Sequence, residues 1–240
     1  MNYADEADAL AQAEADRFLT TMTQAMRPSA VVEPFALQVQ DLCFAYSQQR
    51  QLFNNWSARI PPGLTLVRGG DGAGKTTLLR LLAGDLPASK GKLQADGVCL
   101  HESPDRYQRQ VFWVDPRTTA WDQLTPYSYF KTLPQRYGPV DASVLADLLD
   151  GLSLTAHLNK AMFMLSTGSK RKVWLAGAFA SGAAVTLLDE PFAALDKASI
   201  AFVLDVLEDA AMHPARAFVV ADYSAPVGLP LAQTIDLGEP

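Results

Sequence analysis

The run Gly69-Gly70-Asp71-Gly72-Ala73-Gly74-Lys75-Thr76-Thr77 carries the residue types that grip a polyphosphate. Its spacing fits G-x-x-x-x-G-K-[ST], with Gly69, Gly74, Lys75 and Thr76 on the fixed positions. A glycine-rich loop lets successive backbone N–H groups turn inward onto phosphate oxygens, and a Cβ at those glycines would obstruct the turn or the close approach. In this pattern Lys75 reaches the β- and γ-phosphates and the Thr76 hydroxyl ligates magnesium. The implied ligand is a nucleoside triphosphate with Mg2+, contacted along Gly69, Gly70, Asp71, Gly72, Ala73, Gly74, Lys75, Thr76 and Thr77.

Two further segments fit the same chemistry. Val185-Thr186-Leu187-Leu188-Asp189-Glu190 is an apolar run that ends in two carboxylates. An apolar strand delivers such a pair to the sheet edge where ligands sit. Asp189 suits the magnesium shell, acting through water because magnesium dehydrates reluctantly. Glu190 suits a general base that polarises an attacking water. Leu165-Ser166-Thr167-Gly168-Ser169 opens a helical stretch, Lys170 to Ala180. Taken alone, that loop reads equally as a second phosphate site or as an ordinary helix N-cap.

The elements that must position these groups follow from pattern. Pro61-Pro62-Gly63 opens a short β-run, Gly63 to Arg68, ahead of the phosphate loop, and Thr76 to Ala83 reads as a helix stopped by Gly84. Ala36 to Gln40 alternates with period two, and Leu42 to Tyr46 does so more loosely. Lys92 to Leu100, interrupted by Asp96-Gly97, predicts a hairpin. Gln110 to Val114, Val185 to Leu188 and Ala217 to Val220 read as strands. Thr125-Pro126 starts a helical stretch that runs to about Tyr137, and Asp141 caps a helix over Ala142 to Asp150, ended by Gly151. Residues 1–34 read as a helical extension, with Ala11, Ala15, Phe18, Met22 and Ala25 at helical spacing.

Composition bounds the rest. The chain has 240 residues, 49% hydrophobic and 19% charged, enough to bury a large core. A net charge of −6 argues against a nucleic-acid partner, which needs a basic footprint. The longest apolar stretches, such as Ala183 to Leu188, are strand-sized and cannot span a bilayer. Cys43 and Cys99 fit no metal spacing, and a cytosolic compartment follows.

Taken together, the motifs and their order resemble the nucleotide-binding subunit of an ABC transporter, over about Phe35 to Ala225. Gly69 to Thr77 matches the family's Walker A. Leu165 to Ser169 stands in the place of its LSGGQ signature. Val185 to Glu190 matches Walker B with the catalytic glutamate, and Ala193-Ala194-Leu195-Asp196 matches the D-loop. Within the family, Thr76 to Leu82, Leu100 to Asp122 and Leu165 to Val173 look similar to the haem-exporter or cytochrome c biogenesis type.

The resemblance implies an α/β fold: a P-loop NTPase ABC cassette with a RecA-like core, an antiparallel β subdomain and a short helical subdomain at about 115–164, the cassette spanning 35–240. It implies ATP and Mg2+ as ligands, with Glu190 and Lys75 catalytic, and Tyr46 stacked on adenine. It implies a second cassette as partner, in which Ser166 and the Gly168 amide meet the opposite nucleotide. An integral membrane permease is the other implied partner, with this chain peripheral on the inner face of the cell membrane.

Three departures temper the activity. Thr167 and Ser169 replace the first glycine and the glutamine of the signature. No Gln occurs between Gln110 and Gln123, so Asp115 or Pro116 stands in the Q-loop position, and Asp115 is carried as a magnesium ligand. Asp222-Tyr223 stands where the family has its switch histidine. A carboxylate near a γ-phosphate repels it, which predicts slow hydrolysis. The competing reading is a regulatory cassette that binds ATP as a switch and hydrolyses little.

Overall fold

The computed structural model describes residues 35–47, 50–226 and 228–238. The expected helical extension at residues 1–34 lies outside them. Two sheets organise the rest. One is antiparallel, in the order β2-β1-β4-β5, from β1 (Leu37–Phe44), β2 (Phe53–Ile60), β4 (Lys90–Ala95) and β5 (Val98–Cys99). The other is parallel, in the order β6-β7-β8-β3-β9, from β3 (Gly63–Arg68), β6 (Val111–Phe112), β7 (Val185–Asp189), β8 (Ala217–Asp222) and β9 (Gln233–Asp236).

The apolar runs of the parallel sheet are continuous because both faces are covered. Along β8, Phe218 and Val220 enter one core with the helical region, while Ala217, Val219 and Ala221 enter a second core. That second core is shared with the antiparallel sheet and with helix α1 (Lys75–Leu82). Helix α2 (Pro104–Gln110) is tied to α1 by Tyr107, fully buried, whose hydroxyl donates to the Leu82 carbonyl at 2.6 Å.

Between β6 and the signature segment lie three short helices, α3 (Pro126–Phe130), α4 (Leu133–Tyr137) and α5 (Ala142–Gly151), and two 3-10 turns, Thr155–His157 and Met162–Met164. The sequence-derived caps are present. Thr125 Oγ1 accepts from the Ser128 N–H, and Asp141 Oδ1 accepts from Ser143 and Val144. Helix α6 (Thr167–Ala180) and helix α7 (Lys197–Ala211) flank β7 in sequence.

Several boundaries differ from the sequence reading, each for a local reason. The two runs expected over Ala36 to Tyr46 are one strand with a bulge, where Asp41 takes φ 49° and gives its N–H to Ser57 Oγ. Asp96 and Gly97 both have positive φ and make the tight turn of the β4–β5 hairpin. The stretch expected to run unbroken from Thr125 to Tyr137 is split at Lys131 and Thr132. Gly151 is the last residue of its helix rather than a left-handed cap after it; Ser153 takes the left-handed conformation. Gly151 is small for another reason: a Cβ there would lie 2.2 Å from the Phe202 ring of α7.

Candidate functional site

Parallel pairing brings the chemistry to one edge. Arg68 stands beside Asp222, and Asp189 beside Ala221, so β3, β7 and β8 finish at the same level. The loops that follow them therefore converge at the carboxyl edge of the sheet, where ligands of open α/β sheets bind.

Gly74 caps α1 at φ 97°, a conformation that admits glycine and few others, and it faces Leu52, whose Cδ2 would lie 2.9 Å from a Cβ. The helix thereby directs its N-terminus at the loop. Lys75 is 7% exposed, and its ammonium donates to the carbonyls of Gly69 and Gly70 at 2.7 and 3.0 Å. Gly70 in turn gives its N–H to the Gly238 carbonyl.

Thr76 and Asp189 meet directly. The Thr76 hydroxyl donates to Asp189 Oδ2 at 2.8 Å. Asp189 Oδ1 is buried and has no hydrogen-bond partner among the described residues. Burial pushes the Asp189 carboxyl up from its ordinary value, against the Thr76 hydrogen bond that lowers it. A hydroxyl and a buried carboxylate with one oxygen unsatisfied suit a magnesium ion, a hard cation that takes oxygen ligands. The residues present fit the ion.

Glu190 follows at φ 45°, in the left-handed region that costs a non-glycine residue about 1 kcal/mol. Its backbone is held on both sides. The Glu190 N–H donates to the Ala221 carbonyl at 2.9 Å, and its carbonyl accepts from Arg171 Nη1. The same guanidinium nitrogen donates to the Asp189 carbonyl at 3.0 Å. Arg171, on α6, was not among the expected site residues; nothing in the spacing signals a contact made by backbone oxygens.

Tyr46 is 39% exposed, packs edge-on against Phe44 with ring centroids 4.9 Å apart, and its hydroxyl hydrogen-bonds Thr77 Oγ1 at 3.0 Å. A partly exposed aromatic ring thus stands beside the first turn of α1.

Ser166 and Gly168 are joined to neither Lys75 nor Thr76 by any hydrogen bond among the described residues. Ser166 is exposed and caps α6, its Oγ accepting from the Ser169 N–H at 3.1 Å. Gly168 is required by a close approach: a Cβ would sit 2.4 Å from the Ala194 carbonyl oxygen. Ala194 takes φ 60°, and Asp196 after it caps α7 and accepts from Lys172 at 2.7 Å. That ion-paired hydrogen bond holds the Asp196 carboxyl well below the usual carboxylate range.

Asp115 follows β6, between Val114 and Pro116, which line one small cavity with Asp189. Asp115 Oδ1 accepts from the Arg117 N–H at 2.8 Å, and no hydrogen bond joins it to Thr76 or Asp189 among the described residues. It lines a groove of about 240 Å³ with Asp85, Trp113, Trp121 and Arg136.

Asp222 is not the group that overlies the loop. Its Oδ1 accepts from the Tyr223 N–H at 2.7 Å. Tyr223 overlies the loop instead: its hydroxyl donates to Asp71 Oδ1, and its ring lies 4.2 Å from Lys75 Nζ. Motif order brings Asp222-Tyr223 to this position, but which of the two side chains turns toward the loop is not legible from order alone. The structure also gathers ligand atoms of Cys99, at the end of β5, and of His101 and Glu102, on the turn after it, within 4.8 Å of one another, a grouping that the cysteine spacing does not signal.

A phosphate loop, an acid-tipped strand and a capped signature loop on one scaffold define a family, and the family model described as ABC transporter matches residues 53–193. The chain belongs to the ABC transporter family. ATP-binding domains of this family are ATPases and bind ATP, usually with magnesium. The cassette is 35% identical over 153 residues to the cytochrome c biogenesis ATP-binding export protein CcmA of Pseudomonas savastanoi pv. phaseolicola, covering 63% of this chain and 72% of that protein. It is 30% identical over 183 residues to the manganese transport system ATP-binding protein MntB of Listeria monocytogenes, covering 72% and 74%. In fold, the cassette is similar to a solved ATP-binding subunit of an ABC transporter, with a TM-score of 0.70, 24% identity and coverage of 78% and 79%. No helix among the described residues is long and apolar enough to cross a membrane.

Proposed function

We propose that this chain binds ATP with Mg2+ and hydrolyses it as the motor subunit of a transporter, paired with a second cassette and docked on a membrane permease. The observation that carries the reading is the Thr76–Asp189 contact with Asp189 Oδ1 unsatisfied beside it. It supports a loop and an acid already matched to one metal–nucleotide complex.

In this reading Lys75 leaves the Gly69 and Gly70 carbonyls for the phosphates, and Tyr46 offers its partly exposed ring to adenine. Thr76 and Asp189 would hold Mg2+, and the bound ion would supply charge neutralisation for the phosphate oxygens. A water oxygen attacks the γ-phosphorus, the bond to the β-phosphate oxygen breaks, and the water proton passes to the Glu190 carboxylate. Arg171 fixes the backbone that carries Glu190.

The exposure of Ser166 supports its use against a partner's nucleotide. The groove beside Asp115, with Trp113, Trp121 and Arg136, supports permease docking. The CcmA relatives support a partner of the cytochrome c biogenesis export type. Hydrolysis is slow, because Tyr223 rather than an imidazole overlies the loop.

Calorimetric titration with Mg-ATP, together with phosphate release, tests the reading. Micromolar binding that is lost in Lys75→Ala is the expected result. Equal binding by the wild type and Lys75→Ala would overturn it.

A further inference from the structure

Tyr223 engages the phosphate loop twice, although its side chain is 52% exposed. Its O–H donates to Asp71 Oδ1, and its ring covers the Lys75 ammonium at 4.2 Å. The ammonium lies within reach of the Gly69 and Gly70 carbonyls, so the phenol stands over the cation that a polyphosphate recruits. Its reach across the loop is fixed by register: Asp222 pairs with Arg68, the last residue before the loop, and Tyr223 is the next residue out.

Two features of this triad bear on a bound nucleotide. A phenol carries one donor hydrogen, so it serves one anionic acceptor at a time. Asp71 brings a carboxylate to a loop built for phosphate, and like charges at short range oppose each other. A terminal phosphate arriving at Lys75 therefore meets a nearby donor, and that donor is held by a competing anion.

We propose that the Tyr223 hydroxyl is passed from the Asp71 carboxylate to the terminal phosphate of a bound nucleoside triphosphate, and that this exchange discriminates triphosphate from diphosphate. The inference rests on the nucleotide-binding reading above. A diphosphate lacks the acceptor, so the hydroxyl stays on Asp71. A triphosphate takes the donor and must also overcome the Asp71 charge. Asp71 thus sets the threshold and Tyr223 supplies the reward.

The test is calorimetric titration with Mg-ADP and with a non-hydrolysable Mg-ATP analogue on the full chain. The variants are Asp71→Asn, Tyr223→Phe and the double variant, with Lys75→Ala as control. Phenylalanine keeps the ring over Lys75 and removes only the O–H. Thermal melts of each variant verify folding.

Asp71→Asn is expected to tighten the triphosphate analogue about fivefold or more and ADP by clearly less, since both lose a nearby like charge but only the triphosphate also gains the phenol that a neutral acceptor holds less firmly. Adding Tyr223→Phe to Asp71→Asn is expected to weaken the analogue about tenfold or more, the value of a hydrogen bond to a charged group, sparing ADP. In the wild-type background Tyr223→Phe loses less, because the competing bond disappears with the donor. Equal shifts for both nucleotides, or no loss of analogue binding on adding Tyr223→Phe to Asp71→Asn, would overturn the exchange while nucleotide binding stands. A wild-type chain that binds neither nucleotide any better than Lys75→Ala would overturn both readings.

Discussion

Thr76 gives its hydroxyl to Asp189 at 2.8 Å across 113 residues of chain. The bond joins the phosphate loop to the end of β7 and leaves Asp189 Oδ1 without a partner among the described residues.

The first prediction concerns that buried carboxylate. Burial raises its pKa in the folded chain above the unfolded value. The folded state then binds more protons, so stability falls as pH rises from about 4, the unfolded value, through the raised folded value. Above that window the cost is constant. Asp189→Asn should therefore stabilise the magnesium-free chain at neutral pH, with the gain fading as pH drops through the window. Urea unfolding between pH 3 and 8 in the presence of a chelator measures it. The same variant should lose magnesium-dependent ATP binding, and a variant that gains no stability at pH 7 contradicts the account.

Glu190→Gln should leave ATP affinity within a few-fold and lower phosphate release by about 10² to 10⁴, the range for a lost general base. The ATP-bound pair of cassettes should then persist on size exclusion with light scattering. A variant that stays monomeric at saturating ATP with its membrane partner present contradicts the paired site.

Gly168→Ala and Ser166→Ala separate space from capping. An alanine Cβ at 168 meets the backbone oxygen of Ala194 at 2.4 Å, which no rotamer change can relieve. Its cost should be about 1–3 kcal/mol, as for overpacking elsewhere. Ser166→Ala removes only the helix cap and should cost about 1 kcal/mol. Denaturant midpoints rank the two, and Ser166→Ala as the more destabilising variant would refute the argument.

The groove beside Asp115 gives a fourth. Trp121 packs against Tyr129 with centroids 5.6 Å apart, and Arg136 lies over the Tyr137 ring at 5.2 Å. Arg136→Glu should weaken co-purification with the membrane subunit and leave ATP affinity unchanged. Reduced ATP affinity with intact co-purification would place the groove's role elsewhere.

Much of this site is legible in sequence because its parts are local. The phosphate loop announces itself through Gly69, Gly74, Lys75 and Thr76, and the apolar runs of β7 and β8 read as buried strands. The missed elements have physical causes. Strand β2 is polar over Asn54, Asn55 and Ser57 and sits at a sheet edge, so it shows no alternation. Strand β9 is four residues long, too short for a periodic signal, whereas β6 lies inside the strand expected over Gln110 to Val114. Helix α7 carries its own signal: Asp196 caps it, and Val203, Leu207 and Ala210 recur on its buried side. Arg171 and Tyr223 act through backbone oxygens and a strand-end direction, which only the folded chain reveals.

Arg171 ties the signature helix to the carbonyls of Asp189 and Glu190. In the proposed pair of cassettes, a neighbouring subunit bearing on Ser166 would act through this tie on the backbone that carries Glu190. On the proposed function, such a linkage would work as an escapement, each tooth of the cycle released only when the opposite face is engaged. Turnover should accordingly rise with cassette concentration more steeply than nucleotide occupancy does, since occupancy requires one chain and timing requires two.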